Sequence, residues 1–313
     1  MSTQYTSPSK KISSAMDRSC EPFFIVGAQR SGTTMLRLML NSHPNLFVPF
    51  ESKFITEYYR RLEEYGDLSE KNNIHRLLQD IAKEPFVKKG KLIENQQAVI
   101  TKSISTYAEL ISEIFSTAAQ DMGKIRWGDK TPSYVTEIDI IHKLFPNAKI
   151  IHLVRDGRDV AVSLSKLDWG TTHIPRLAND WRWKTILAHK MGAMLNGNYL
   201  EIKYEQLVKN PRIVLQKICD FLDEPYSDEM LQYTDHAQHN MPSESLKWHK
   251  TSIQPPTTSR MFVWKHSMSK SDQIIFEQIA GDALAIFGYQ LTEHPPTIAS
   301  KLKNLYYTLI KRW

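Results

Sequence analysis

The sequence predicts an α/β fold, a parallel sheet flanked by helices with a helical insertion. Three observations carry it. Apolar runs at Phe23–Val26 and Lys149–Val154 each lead into a polar turn and then a helix-forming stretch. Tyr199 to Tyr204 alternates as a strand does. Between these runs apolar residues recur at helical spacing, and strands alternating with helices build a parallel sheet covered on both faces.

Along the chain, residues 1–21 read as a polar arm. They hold no apolar core of a secretory signal, and no run approaches the ~20 apolar residues that cross a bilayer. Phe23–Val26 ends at Gly27. Met35, Leu36, Leu38, Met39 and Leu40 follow in a helix that His43-Pro44 closes, because a residue before proline disfavours helical backbone. Residues 52–122 are mostly helical, with a break near Lys89-Gly90; this is the insertion. Val135, Ile138, Ile141 and Leu144 mark a helix before the Pro146-Asn147 turn. Ile213 to Leu222 and residues 271–287 are helices, and the aperiodic stretch 237–260 is a long loop. In the tail, Ile298, Leu302, Leu305 and Leu309 fall at helical spacing beside Lys301, Lys303, Lys311 and Arg312. A terminal helix packed on the core is the expectation; the competing reading lays it on a membrane surface. The organisation is an arm (1–21), one domain (22–290) and a basic amphipathic tail (291–313).

Composition narrows the function. Forty Lys and Arg against 34 Asp and Glu give +6, which suits an anionic ligand. No zinc finger, basic zipper or RNA-binding signature is present, so no nucleic-acid partner is expected. Two cysteines, Cys20 and Cys219, make no disulfide framework and fit a reducing, cytoplasmic compartment. His236 and His239 lack the further ligands a metal needs, and no metal is expected. Trp169, Trp181 and Trp183 read as packing.

The chemistry begins at Gly27-Ala28-Gln29-Arg30-Ser31-Gly32-Thr33-Thr34, between the first strand and the first long helix. The spacing is that of a P-loop, whose amides and helix N-terminus point donors at an anion. Thr33 stands where a nucleoside-triphosphate enzyme keeps its lysine, and no strand ends in an acid suited to hold Mg²⁺. The loop therefore suits a phosphate-like group other than a triphosphate tail, with Arg30 supplying the cation. Arg155 falls at the carboxyl end of the second strong strand, where open α/β sheets place ligands. Ser163 lies two turns into the next helix. The competing reading of this block is an Arg–Asp pair that only caps the helix.

Together Gln29–Arg37, Ser42-His43-Pro44, Glu51, Lys130-Thr131-Pro132, Val154–Asp159 with Ser163, and Tyr204–Leu207 resemble the PAPS-dependent sulfotransferases. The likeness is strongest to the tyrosylprotein-sulfotransferase-like and bacterial branch. The resemblance implies 3′-phosphoadenosine-5′-phosphosulfate (PAPS) as sulfonyl donor and PAP as product. Arg30, Ser31, Gly32, Thr33 and Thr34 would hold the 5′-phosphosulfate. Arg155 and Ser163 would hold the 3′-phosphate, and Tyr204 would line the adenine or ribose side. From the late segment, either Ser252 or Ser259 would supply a hydroxyl, and Arg260 or Lys265 a cation. Glu51 would be the general base, with His43 next in line. Lys130, with Arg30, would offset charge on the transferring group. The implied acceptor is a hydroxyl or amine, expected on a small molecule. A P-loop kinase and a non-catalytic nucleotide module are the alternatives. Oligomeric state is not legible.

Overall fold

The computed structural model describes residues 21–94, 96–100, 103–238, 241–292 and 294–309. Most of the expected arm, together with Cys20, His239, Lys311 and Arg312, lies outside them. Five strands form one sheet: β1 (Phe23–Val26), β2 (Leu46–Phe47), β3 (Arg126–Lys130), β4 (Lys149–Val154) and β5 (Tyr199–Lys203). Their order is β2-β3-β1-β4-β5 and every pairing is parallel. β1 lies between β3 and β4, with Ile25 beside Lys130 on one side and Ile151 on the other. The crevice at the carboxyl ends of these strands is where an open α/β sheet places its ligand.

The helices follow from the periodicities. α1 (Thr33–Asn41) runs from the phosphate loop. The insertion holds α2 (Phe54–Tyr59), α3 (Lys71–Lys83), α4 (Pro85–Gly90), α5 (Gln96–Ile100) and α6 (Tyr107–Asp121). A reciprocal capping box between Thr106 and Glu109 starts α6. After β3 come α7 (Ile138–Leu144), α8 (Gly157–Leu164) and α9 (Ile174–Gly192). α10 (Tyr204–Lys209) and α11 (Pro211–Leu222) follow β5. The long loop carries only short turns and α12 (Leu246–His249) before α13 (Trp264–Ser267), α14 (Lys270–Ile286) and α15 (Ile298–Leu309).

The two-residue strand period divides the core. Phe24 and Val26 face the insertion, where Trp127 stacks on Phe115 at 4.6 Å. Phe23 and Ile25 face α1 and α11. A third cluster joins α8, α9 and α14 around Trp181 and Phe276. None of the helices among the described residues is long and apolar enough to cross a membrane.

One strand escaped the sequence reading, and one expectation needs correction. β3 reads Arg-Trp-Gly-Asp-Lys, too charged to look like a strand, yet all five residues are buried. Arg126 is held by the Leu222 carbonyl and by Glu224, and Lys130 by Glu51. The tail helix, expected to bury its leucines, does the reverse. α15 docks on α14 through Ser300 and Tyr307, leaving Ile298, Leu302 and Leu305 exposed.

Candidate active site

The phosphate loop is shaped by its glycines. A Cβ on Gly27 would meet the Leu153 carbonyl at 2.5 Å, so the loop base presses on β4. Gly32 has φ 95°, and a Cβ there would strike the Tyr204 ring at 2.5 Å. Arg30 also sits in left-handed backbone, at φ 67°. No side chain caps the start of α1, and a helix N-terminus so placed favours an anion. Gly32, Thr33 and Thr34 line a cavity of about 820 Å³ over the sheet's carboxyl edge. Ser31 is not part of its wall; that side chain is buried beneath the loop.

Three arginines converge on this cavity: Arg30, Arg155 and Arg260. Arg155 donates to the Arg30 carbonyl at 3.0 Å and to the Arg260 carbonyl at 2.6 Å, and lies over the Tyr204 ring at 4.5 Å. Arg30 Nε donates to Ser163 Oγ at 3.1 Å. Among the described residues none of the three arginines has a carboxylate within salt-bridge distance. Burial, then the fields of Arg155 and Arg260, lower the Arg30 pKa. Like charges packed this closely repel unless an anion joins them.

The competing Arg–Asp reading of this block has an answer. A capping pair exists, but it is Arg158 with Asp156, at 2.8 Å, while Arg158 also reaches Glu277 at 2.6 Å. Asp159 is otherwise engaged. Its two oxygens accept from the backbone N–H of Phe262 at 2.7 Å and of Trp264 at 2.9 Å. Trp264 in turn donates its indole N–H to Asp156 at 3.1 Å. The block therefore clasps the late segment and turns Arg260 into the cavity.

That clasp divides the side chains of the late segment between the cavity and the outside. Ser252 and Arg260 line the cavity. Ser259 does not: it is exposed, with its N–H on Thr257 Oγ1. Lys265 also points away, over the rings of Phe262 and Trp264.

Glu51 lines the cavity from the other side. Its loop is pinned to the segment after β3, where Ser52 N donates to Thr131 Oγ1 at 3.2 Å and Ile55 N to the Tyr134 hydroxyl at 3.0 Å. Lys130 Nζ donates to Glu51 Oε1 at 2.8 Å, and Lys53 stands 3.8 Å from Oε2. Burial pushes the Glu51 carboxyl up, but Lys130, with help from Lys53 and His249, pulls it down further, so its pKa lies below the ordinary value. Lys130 itself is fully buried and sits behind Glu51, not on the cavity wall. It touches Glu51 and does not line the cavity.

Several features escaped the sequence. His249 lines the cavity, and burial with the fields of Lys130 and Arg30 lowers it to about 4, so it is neutral near pH 7. His43 is remote: its ring bonds the Pro225 carbonyl at 2.7 Å and accepts from Asn45 N–H. Trp169 lines the cavity, while Trp181 is core. β3 does carry an acid near its end, Asp129, but that carboxyl is fully buried, pushed up to about 6 mainly by burial, and absent from the wall. No cluster of metal-ligating side chains occurs among the described residues. A neighbouring chamber of about 680 Å³ shares Phe50 and Lys89 with the cavity and is lined by Leu92, Val99, Ile114 and Met241.

A family model described as "Sulfotransferase family" matches residues 22–228. A protein-tyrosine sulfotransferase of Drosophila melanogaster is 27% identical over 288 residues, covering 87% of this chain and 52% of that protein. An uncharacterized protein of Aquifex aeolicus is 27% identical over 221 residues, 68% of this chain and 26% of its own length. The chain thus spans about a quarter of one relative and half of the other. The sulfotransferase domain of the Synechococcus PCC 7002 olefin synthase superposes with TM-score 0.61 at 25% identity, over 92% of this chain and all of that one.

Proposed function

The chain belongs to the sulfotransferase family, and from that premise we propose that it transfers a sulfonyl group from PAPS to a hydroxyl or amine of a small-molecule acceptor. One observation carries this reading. Three arginines with no carboxylate within salt-bridge distance among the described residues, and an ion-paired glutamate, open onto the same cavity.

The residues present suit the donor. Three arginines outside any salt bridge with a described carboxylate, an uncapped helix N-terminus and an aromatic face at Tyr204 suit two separated phosphate groups and a purine nucleoside. Arg155 and Ser163 would hold the 3′-phosphate. Arg30 and the loop through Thr34 would hold the 5′ side, with Ser252 and Arg260 closing over it. When bound, the donor supplies an activated sulfonyl group and a stable bisphosphate leaving group.

The rest of the chemistry belongs to the chain. A neutral hydroxyl is a poor nucleophile, and Glu51 is placed to take its proton. Lys130 acts through Glu51 as a positioning residue. It holds the carboxylate ionised and fixes one oxygen, leaving the other toward the cavity. Arg30 stands where charge develops on the departing group. His249, neutral, offers a hydrogen bond between Arg30 and Glu51 without adding charge. The acceptor would lie against Phe86, Trp169 and Lys89, with the adjoining chamber available to a longer molecule.

The test is an acceptor library incubated with PAPS and read by mass gain of one sulfonyl group. Small alcohols, phenols and amines are the expected acceptors. Labelling confined to tyrosine peptides would replace the small-molecule assignment. Thermal unfolding supplies the donor control: PAP at ~100 times its dissociation constant should add about 2.7 kcal/mol. Stabilisation by ATP with Mg²⁺ and none by PAP would overturn the donor.

A further inference from the structure

Helix α15 is amphipathic the wrong way round for a core helix. Its docking face is small and polar. Ser300 is buried against the body, Lys303 donates to Asp272 at 2.8 Å, and the Tyr307 hydroxyl donates to the Thr172 carbonyl at 3.4 Å. The opposite face carries Ile298, Leu302, Leu305 and Tyr306, which are 80, 61, 52 and 46% exposed. At a spacing of four, three and one residues they form one ridge along the helix. In the sequence the spacing continues through Leu309 and Trp313. Single exposed leucines need no explanation, but a continuous apolar ridge on an outer helix marks a contact surface.

Charge identifies the contact. From His294 to Trp313 the chain carries Lys301, Lys303, Lys311 and Arg312 and no aspartate or glutamate. Lys303 spends its charge on Asp272. Lys301 is exposed and lies one turn before Leu305, at the flank of the ridge. A second copy of the chain seated on this ridge would set these cations against one another with no carboxylate in the segment to pair them. An anionic lipid surface instead takes both features. Its headgroups accept the lysines, and the boundary with the acyl chains accepts the leucines and the amphipathic aromatic rings.

We propose that α15 is an interfacial helix that seats the protein on an anionic bilayer surface, lying in the interface plane. The contact is independent of the reading of the cavity. Attachment is electrostatic and apolar together, so it weakens with salt and vanishes when the ridge is made polar.

Vesicle flotation of the full chain tests this, with phosphatidylcholine vesicles and with vesicles that also contain phosphatidylserine. Wild type should float with the anionic vesicles at low salt and far less with the neutral ones. Leu302→Asp with Leu305→Asp should abolish flotation while leaving thermal unfolding and PAP binding unchanged, since both side chains are exposed. Lys301→Glu leaves the ridge intact and should lower partition at least about fivefold, the worth of one lysine at such a surface; it carries the test if the double variant aggregates. Wild type remaining unbound to both vesicle types would overturn the proposal. So would equal flotation of wild type and the double variant. A dimer by light scattering that the double variant dissolves, without vesicle binding, would assign the ridge to a second copy instead.

Discussion

The two ends of the cavity handle charge in opposite ways. On the side of β4, Arg30, Arg155 and Arg260 gather with only carbonyls and hydroxyls between them. On the side of β3, Lys130 and Glu51 are matched at 2.8 Å, Lys53 stands 3.8 Å from the second Glu51 oxygen, and His249 on the same wall is neutral. The nearby acids on the β4 side are committed elsewhere, Asp156 to Arg158 and Asp159 to the amides of the late segment. Charge in excess awaits charge from a ligand, whereas a matched pair can shift a proton without a large change in field. On the proposed function the difference separates a binding end from a chemical end, and variants at each end should fail differently.

The largest expected effect is at the chemical end. Glu51→Gln keeps the shape but cannot take a proton. Turnover should fall ~10² to 10⁴-fold, the usual worth of a general base, with PAP affinity nearly unchanged. Near-normal turnover in this variant would move the base to His249, since His43 is held by Pro225 and lies away from the cavity.

At the binding end, Arg155→Ala should do the opposite. A charge-assisted hydrogen bond contributes about 1.5–3 kcal/mol, so PAP affinity should fall between about tenfold and 150-fold. AMP, which lacks the 3′-phosphate, should lose much less. Calorimetry on both ligands checks this, and equal losses would make Arg155 a structural residue tying Arg30 to Arg260. Asp159→Asn is expected to act more weakly and at one remove. It loosens the clasp that presents Arg260, so PAP affinity should drop several-fold, with Glu51-dependent turnover at saturating donor intact.

The two ends were also unequally legible. The phosphate loop and Arg155 announce themselves, because a glycine turn between an apolar strand and a helix is a local pattern. β3 does not. Its Arg126 and Lys130 look like surface residues, and only partners at Leu222, Glu224 and Glu51 make their burial tolerable. Such partners lie 79 to 98 residues away in sequence, beyond any window. His249 sits in an aperiodic stretch, and nothing local says that α12 brings it to Glu51. That Ser252 lines the cavity and Ser259 does not goes with Asp159 gripping two backbone amides, a contact that leaves no mark in composition. α15 was misjudged for a related reason: periodicity shows that a helix has an apolar face, not which way the face points.

The smallest effect is a displacement of the pH profile, and it probes the pairing directly. Alone, burial would raise the Glu51 pKa; the Lys130 ammonium at 2.8 Å reverses the sign. A depressed pKa means that the base is ionised throughout the range above ordinary carboxylates. Turnover should therefore hold as pH falls through neutrality and decline only below about 4.3, the free value for glutamate. His249 titrates near 4 in the same window, so a His249→Gln variant is needed to show which proton matters; the limb should survive in it. Lys130→Met removes the counter-charge and leaves burial in command. Its acid limb should then move upward, past the ordinary carboxylate value, with turnover reduced and PAP affinity kept. The measurement is kcat/KM against pH on a non-ionising alcohol acceptor, which keeps acceptor titration out of the profile. An unmoved limb in Lys130→Met would mean that the lysine does not set the charge of Glu51. Loss of the limb in His249→Gln would make the histidine, not the glutamate, the group that titrates.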